Sequence, residues 1–390
     1  MTIDSLEVRD LTSDDHDQAF AVRTRSFGKL DDSMRGWWNA LHDELITQRR
    51  LIGVFDGERL VAQAKSRSFQ QFWGGRMVPM SGVAGVVVSP EYRGRGVTSL
   101  MMRALAERAV DLGDAVSALY PATVRPYRRT GWEIAGTQTR ITIDTDHLRG
   151  LGSPDVRLRP GSKSDVDLVQ KLLAERYAKQ NANGAKLLTT TEIEEALTED
   201  ESFSYFTDDG FVLYEWHEGN LLVTCMVASS EVSARALWSV VGSGSSVAKK
   251  VHAFVSPDDP IHLLLPEEVG HEVRRIRWML RVLDAPTAVA ARGYPVGVLG
   301  SASITLEDPL LPSQNGTWLL EVDGGAGSLT RSACETGPLR LGPNGLAALY
   351  AGTPVHVLRT AGLATSGSPD GDAFLDSVFG GRAAYLLEYF

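Results

Sequence analysis

The chain has 390 residues, 43% of them hydrophobic and 23% charged, and a formal net charge of −10. That length exceeds one ordinary core and predicts two or three domains of about 100–200 residues each. The acidic balance argues against a nucleic-acid partner and suits a polycationic amine, and no run of about 18 apolar residues is present to span a membrane.

Two cysteines, Cys225 and Cys334, lie far apart in apolar company. No Cys/His spacing fits a metal site, so no metal and a reducing compartment are expected. The N-terminus lacks a basic and apolar leader pattern, and the reading is a cytoplasmic protein without a membrane partner.

In chain order, Leu6–Arg9 reads as a strand. Thr12 to Asp15 forms a capping-box pattern ahead of a helix through Phe20 and Val22. Strands follow at Leu51–Phe55 and Leu60–Ser66 around the hairpin signal Asp56-Gly57. Met80–Val88 is apolar and β-branched, as a buried central strand requires. Ser99–Leu112 is an amphipathic helix with Leu100, Leu105, Ala109 and Leu112 on one face, ended by Gly113. Ala115–Tyr120 is a strand, and Tyr127–Gly131 a turn before Trp132. Alternating elements of this kind make an α/β (α+β) domain, taken as residues 1–150.

A second segment, 151–284, opens the same way. Its pattern Ser162 to Asp165 repeats the one at Thr12 to Asp15, a weak internal repeat. Strands Phe211–Trp216 and Leu221–Ala228 flank a Gly-Asn turn, and a helix runs from Ser233 to Val241. Gly242-Ser243-Gly244-Ser245 follows a helix rather than a strand and carries no arginine. A third segment, 285–390, starts with a helix at Ala285-Pro286. Strands Ser301–Leu306 and Gly316–Val322 and a short helix Leu346–Tyr350 follow.

The strongest chemical signal is the strand Val86-Val87-Val88 running through Arg93-Gly94-Arg95-Gly96-Val97-Thr98 into a helix. Glycines let backbone N–H groups converge, a helix N-terminus adds partial positive charge, and Arg93 and Arg95 add full charges at the rim. The place suits a pyrophosphate. It is neither the phosphate loop GxxxxGK[ST] nor a GxGxxG turn.

The order strand, Arg-x-x-Gly-x-Thr, helix resembles the GNAT acetyltransferase motif, with Thr98 where a small residue is usual. The resemblance implies acetyl-CoA as co-substrate. It implies that Val86, Val87 and Val88 face the pantetheine arm, that the amides from Arg93 to Thr98 hold the pyrophosphate, and that Ala122 and Thr123 complete the set. It also implies a tyrosine facing the sulfur, and Tyr127 matches best. A thiol titrates near 8.5 and a tyrosine near 10, so full proton transfer is uphill by roughly 2 kcal/mol unless Arg125, Arg128 and Arg129 depress the tyrosine.

Gly85–Thr98, Tyr127–Trp132, Arg277–Arg292 and the terminal phenylalanine together resemble the Eis (enhanced intracellular survival) family. That resemblance covers nearly the whole chain. It implies tandem GNAT-like domains followed by a sterol-carrier-protein-like domain, acetylation of amines such as aminoglycosides, polyamines or lysine side chains, and a homo-oligomer, a hexamer. It implies the terminal carboxylate of Phe390 as base. A free α-carboxyl is too acidic for that task unless the apolar tail buries it. Where relatives carry an acidic residue just before the last, this chain has Tyr389, with Glu388 one earlier as fallback base and substrate contact. Phe27 and Trp37 fall where substrate-lining aromatics are expected, and of Trp37 and Trp38 only one ring can face inward on a helix. The competing reading is a non-catalytic acyl-CoA or lipid carrier, which requires an open apolar cavity in residues 285–390.

Overall fold

The computed structural model describes residues 5–152, 156–265, 272–333 and 337–390. The first third contains β1 (Glu7–Asp10), α1 (His16–Phe27), α2 (Arg35–Thr47), β2 (Leu51–Asp56), β3 (Arg59–Trp73), β4 (Arg76–Val88), α3 (Val97–Asp111), β5 (Val116–Leu119), α4 (Val124–Arg128), β6 (Glu133–Asp144) and α5 (Thr145–Arg149). The middle contains β7 (Arg159–Pro160), α6 (Val166–Lys179), α7 (Thr190–Thr198), β8 (Ser202–Phe206), β9 (Gly210–His217), β10 (Asn220–Ala228), α8 (Glu231–Gly242), β11 (Lys250–Val255), α9 (Ile261–Leu264) and β12 (Val273–Val282). The last third contains α10 (Ala285–Ala291), β13 (Gly300–Leu306), β14 (Gly316–Asp323), β15 (Ala326–Arg331), β16 (Leu339–Leu341), α11 (Pro343–Tyr350), α12 (Val355–Thr360), β17 (Ala364–Ser366) and α13 (Pro369–Phe379).

The first two thirds build a single 12-stranded sheet in the order β1-β2-β3-β4-β5-β12-β6-β11-β10-β9-β8-β7. The halves mirror each other locally. In one, β3–β4 is a hairpin, α3 follows, and β5 returns parallel to β4; in the other, β9–β10, α8 and β11 do the same. The two capping boxes are present, and each carries the same guanidinium clamp: Arg9 on Asp15 and Arg159 on Asp165. The clamp holds both carboxyls below the usual range, by hydrogen bonding to the arginine first. The halves then exchange strands. β12 of the second half lies between β5 and β6 of the first, while β6 pairs with β11 of the second. Neither half closes its sheet with its own strands.

Helices cover the faces, and the last third adds a five-stranded sheet in the order β15-β14-β13-β16-β17. Its core is continuous with the rest: Leu346, Tyr350, Leu375 and Phe379 share one cluster with Trp73, Met80 and Trp278. Arg281 of β12 joins all three parts. Its fully buried guanidinium donates from Nη1 to the Thr130 carbonyl at 2.7 Å and from Nη2 to both Asp308 carboxylate oxygens at 2.7 and 3.0 Å. Asp308 is 3% exposed, so Arg281→Met leaves a buried carboxylate without its cation. The expected loss is about 3–5 kcal/mol in urea unfolding, and Asp308→Asn in the same background recovers part of it.

Several expected elements differ in detail. The hairpin arms are longer, β3 to Trp73 and β4 from Arg76, because the turn Gly74-Gly75 lies well beyond the expected strand ends. On α3 the buried face is Val97, Met101, Met102, Leu105, Ala106 and Ala109. Leu100 and Leu112 are only half-buried, and the helix starts two residues earlier than expected. Tyr127 sits in the short helix α4 rather than a turn. Cys225 is buried and free, and Cys334 lies outside the described residues. No helix among the described residues is long and apolar enough to cross a membrane.

Candidate active site

β4 and β5 pair in parallel only over Met80–Val83 against Val116–Leu119. Beyond Val83 they part, and β4 runs on to Val88 with that edge unpaired. On its other edge the ladder with β3 slips between Gln63 and Lys65, giving a bulge at Gly85 and Val86. A bulge takes backbone groups out of the ladder and re-aims them. Val87 and Val88 are buried and Val86 half-buried, so what the wedge offers a ligand is β4 backbone.

The strand leads into a turn in which Gly94 (φ +72°) and Gly96 (φ +85°) take left-handed backbone, and Gly96 caps the N-terminus of α3. Arg93 is part of the scaffold: its Nε donates to the Val88 carbonyl at 3.0 Å and its guanidinium reaches Ser26 Oγ at 3.5 Å. Gly94, Arg95 and Gly96 are exposed, Val97 is buried and Thr98 half-buried. Among the described residues Arg95 has no ion pair. A free guanidinium beside open amides at the start of a helix fits a pyrophosphate. Ala122 and Thr123 are exposed on the opposite lip, where β5 leads into α4.

Tyr127 of α4 packs with the core that holds Val88, Leu119 and Trp132. The nearby arginines do not depress it. Burial, with Tyr389 adding to it, raises Tyr127 above its ordinary value. The arginines act elsewhere: Arg128 is bound to Glu133 at 2.6–2.9 Å, and Arg125 and Arg129 are exposed. Tyr127 therefore keeps its proton and is fitted to donate a hydrogen bond.

The C-terminal tail is threaded between the halves rather than added as a strand. Leu386 N donates to Thr137 O and Thr137 N to Ala384 O, both at 3.2 Å, while Tyr385 N donates to Asn183 O at 3.0 Å. Gln138 Nε2 holds the Leu387 carbonyl at 2.8 Å. The groove is open because Gly184 (φ +84°) lacks a Cβ, which would lie 2.8 Å from the Tyr385 carbonyl. Tyr120 Oη then donates to the Glu388 carbonyl at 2.8 Å, and its ring stacks on Tyr389. The Phe390 ring packs on Phe69 and Tyr120, over Gly82 of β4, just before the wedge opens.

Beside the tail lies a cavity of about 340 Å³ whose wall includes Glu192, Glu195, Glu199, Glu215 and Glu388. Lys186, fully buried, pairs with Glu192 at 2.7 Å. Burial alone pushes Glu192 up, but Lys186 brings it below its ordinary value. Glu195 and Glu215 are raised, by burial first and then by their acidic neighbours. Glu388 is half-buried as a residue, yet both carboxylate oxygens are sealed from solvent and have no hydrogen-bond partner among the described residues. Burial pushes it up to about 7.

Below pH 4.5 this carboxyl is protonated in both the folded and unfolded chain. As the pH climbs toward 7 only the unfolded chain releases the proton, so stability falls. Glu388→Gln is expected to raise the thermal midpoint at pH 8 and leave it unchanged near pH 4.5, with an upper bound on the order of 3 kcal/mol.

Comparison with known proteins bears on the family and the fold. Residues 7–135 and 190–282 each match a family model described as an acetyltransferase (GNAT) domain, and residues 285–387 match a sterol carrier protein domain. A GCN5-related N-acetyltransferase from Kribbella flavida, of solved structure, is 46% identical, with 99% of this chain and 98% of that one covered and a TM-score of 0.97. The N-acetyltransferase Eis of Mycobacterium tuberculosis is 28% identical over 300 residues, covering 71% of this chain and 72% of the relative. An uncharacterized N-acetyltransferase of Streptomyces griseus is 28% identical over 351 residues, covering 80% and 83%. The chain belongs to the GCN5-related N-acetyltransferases, in their Eis-like group.

This GNAT protein is an N-acetyltransferase, and enzymes of its family use acetyl-CoA. Parallel strands part in both GNAT halves, since β10 and β11 pair only over Leu221–Val223 and β10 is bulged just beyond, but the glycine turn occurs in one half alone. In the other, β10 meets α8 through Ser229 and Ser230, and Ser230 Oγ caps the helix on Ser233 N at 3.3 Å, leaving no glycine turn. Among the described residues no group of His, Cys, Asp and Glu could hold a metal. Of the expected aromatic contacts, Trp38 is buried on His42 while Trp37 and Phe27 are 54% and 57% exposed, and neither lines the acidic cavity. The glutamates of α7 were missed in the sequence. Their signal was Glu192 and Glu195 at helical spacing, followed by Glu199 just past the helix end.

Proposed function

We propose that this GNAT enzyme transfers an acetyl group from acetyl-CoA to a cationic amine, a polyamine, aminoglycoside or lysine side chain, by direct attack of the amine. The observation that carries the reading is the meeting of the β4–β5 wedge, the tail residue Phe390 and the acidic cavity in one place. Acetyl-CoA, when bound, supplies the thioester carbonyl. The exposed amides from Arg93 to Thr98 and the Arg95 guanidinium hold the pyrophosphate, and the β4 backbone from Val86 to Val88 lines the pantetheine arm. The bulge amides meet the negative charge that grows on the carbonyl oxygen. The terminal carboxylate of Phe390 takes the proton of the substrate ammonium, and Tyr127 Oη donates to the departing sulfur.

The glutamates beside the tail hold the remaining positive charges of the substrate. Glu388 is a second reading for the base, favoured by a sealed, unpartnered carboxylate whose affinity for a proton is that of a base working near neutral pH. The lipid-carrier alternative is less well supported. The cavity in the last third, about 260 Å³ along Leu349, Pro354 and Phe379, is an open groove outside a filled core. The resemblance adds a homo-oligomer, a hexamer, which would cover the exposed side chains Val296 and Leu299.

The test is thiol release from acetyl-CoA against a panel of monoamines, polyamines, aminoglycosides and lysine peptides. Turnover that increases with the number of amino groups is expected. Release with none of them overturns the reading.

A further inference from the structure

We propose that Lys65 is an acetyl acceptor inside the active site, so that the enzyme modifies itself when acetyl-CoA is bound and no amine is supplied. The inference rests on the acetyl-CoA site proposed above.

Lys65 lies on β3 directly across the ladder from Ala84, beside the β4 bulge. Its Cγ, Cδ and Cε lie 3.3–3.6 Å from the point where a Cβ on Gly85 would stand, so its stem fills the space that a side chain at the bulge would take. That bulge marks the end of the pantetheine path along β4. Arg67 and Phe69, on the same face of β3, lead to Glu192 and to Phe390. Among the described residues the Lys65 ammonium has no carboxylate partner. Its charged neighbours are Arg67 of β3 and Arg23 of α1, neither of which favours the protonated form, and the nearby His42 ring of α2 is kept neutral by burial. Burial first, then Arg67 and Arg23, push it down to about 8. Near neutral pH an amine of that kind is unprotonated roughly a few hundredfold more often than an ordinary lysine. Lys186 is the contrast: it is more deeply buried but holds Glu192.

The step balances without a further reactant. The Lys65 Nζ lone pair attacks the thioester carbonyl carbon, the N–C bond forms, the C–S bond breaks, and the sulfur leaves as thiol with the proton lost by nitrogen. The product is Nε-acetyl-lysine and free CoA. The charge of Lys65 is lost, and its added acetyl group stands in the path of an incoming amine.

The experiment is peptide mapping by mass spectrometry of the full chain after incubation with acetyl-CoA alone, with CoA lacking its sulfur as competitor, and with an amine that is turned over. Acetylation of Lys65 at least about tenfold faster than of the exposed Lys163, Lys171 and Lys250 is expected. Competitor and amine should both slow it, leaving the exposed sites unaffected. Lys65→Arg should lose the modification and Lys65→Gln mimic its product. Labelling spread evenly over exposed lysines, or no labelling of Lys65 while amines are turned over, overturns the proposal and leaves the acetyltransferase reading intact. If amines also fail to release thiol, both readings fall.

Discussion

Replacing Tyr127 with phenylalanine lowers turnover about a hundredfold or more and leaves CoA affinity and folding stability close to wild type. The loss follows from the task proposed for the hydroxyl, since a positioned proton donor at the leaving atom contributes on the order of 10²–10⁴. Burial raises the tyrosine, so it does not give up its proton before the sulfur departs. Its help is a hydrogen bond that strengthens as the C–S bond breaks, which shows in kcat rather than KM. Stability is spared because the hydroxyl has no protein partner among the described residues, and the ring, packed beside Val88 and Trp132, is kept. Steady-state thiol release with calorimetric CoA binding checks the split. Wild-type turnover in Tyr127→Phe would remove the residue from the chemistry.

A few residues appended after Phe390 abolish turnover, again with CoA still bound. The extension converts the terminal carboxylate to a neutral amide and fills the mouth of the wedge. The tail itself stays in place, because it is held upstream by the backbone of Ala384–Leu387 on Thr137, Asn183 and Gln138. The pyrophosphate turn is on another part of the strand and is untouched. Glu388→Gln is the companion measurement. If the extended enzyme works at full rate and Glu388→Gln does not, the base is Glu388.

What could be read in the sequence was what is local. The turn from Val86 to Thr98 announces itself because strand, glycines, arginines and helix are adjacent, and the two capping boxes because each spans four residues. That only one of Trp37 and Trp38 faces inward followed from helical spacing, but not which: Trp38 is the buried one and Trp37 is exposed. The rest depends on contacts between distant segments. Arg281 reads as one more basic residue in an arginine-rich stretch, and only the fold shows it buried between Thr130 and Asp308. The behaviour of Tyr127 was misjudged for the same reason: nearness in sequence to Arg128 gave no hint that Glu133 engages that charge. Lys65 and Lys186 sit in unremarkable strand and loop sequence, and their difference lies in whether a carboxylate from elsewhere arrives.

The exchange of β12 and β6 between the halves has a consequence for biosynthesis. β5 and β6 leave the ribosome long before β12, which begins at Val273. At a synthesis rate of roughly 5–20 residues per second, the gap is on the order of ten seconds. Throughout that interval the strand that carries Val116–Leu119 has an open edge, and the wedge beside β4 has no rigid far wall. The site proposed for acetyl-CoA is thus among the last features to set, although most of its residues are translated first. A nascent chain halted before Val282 exposes sheet edges that another copy could pair with.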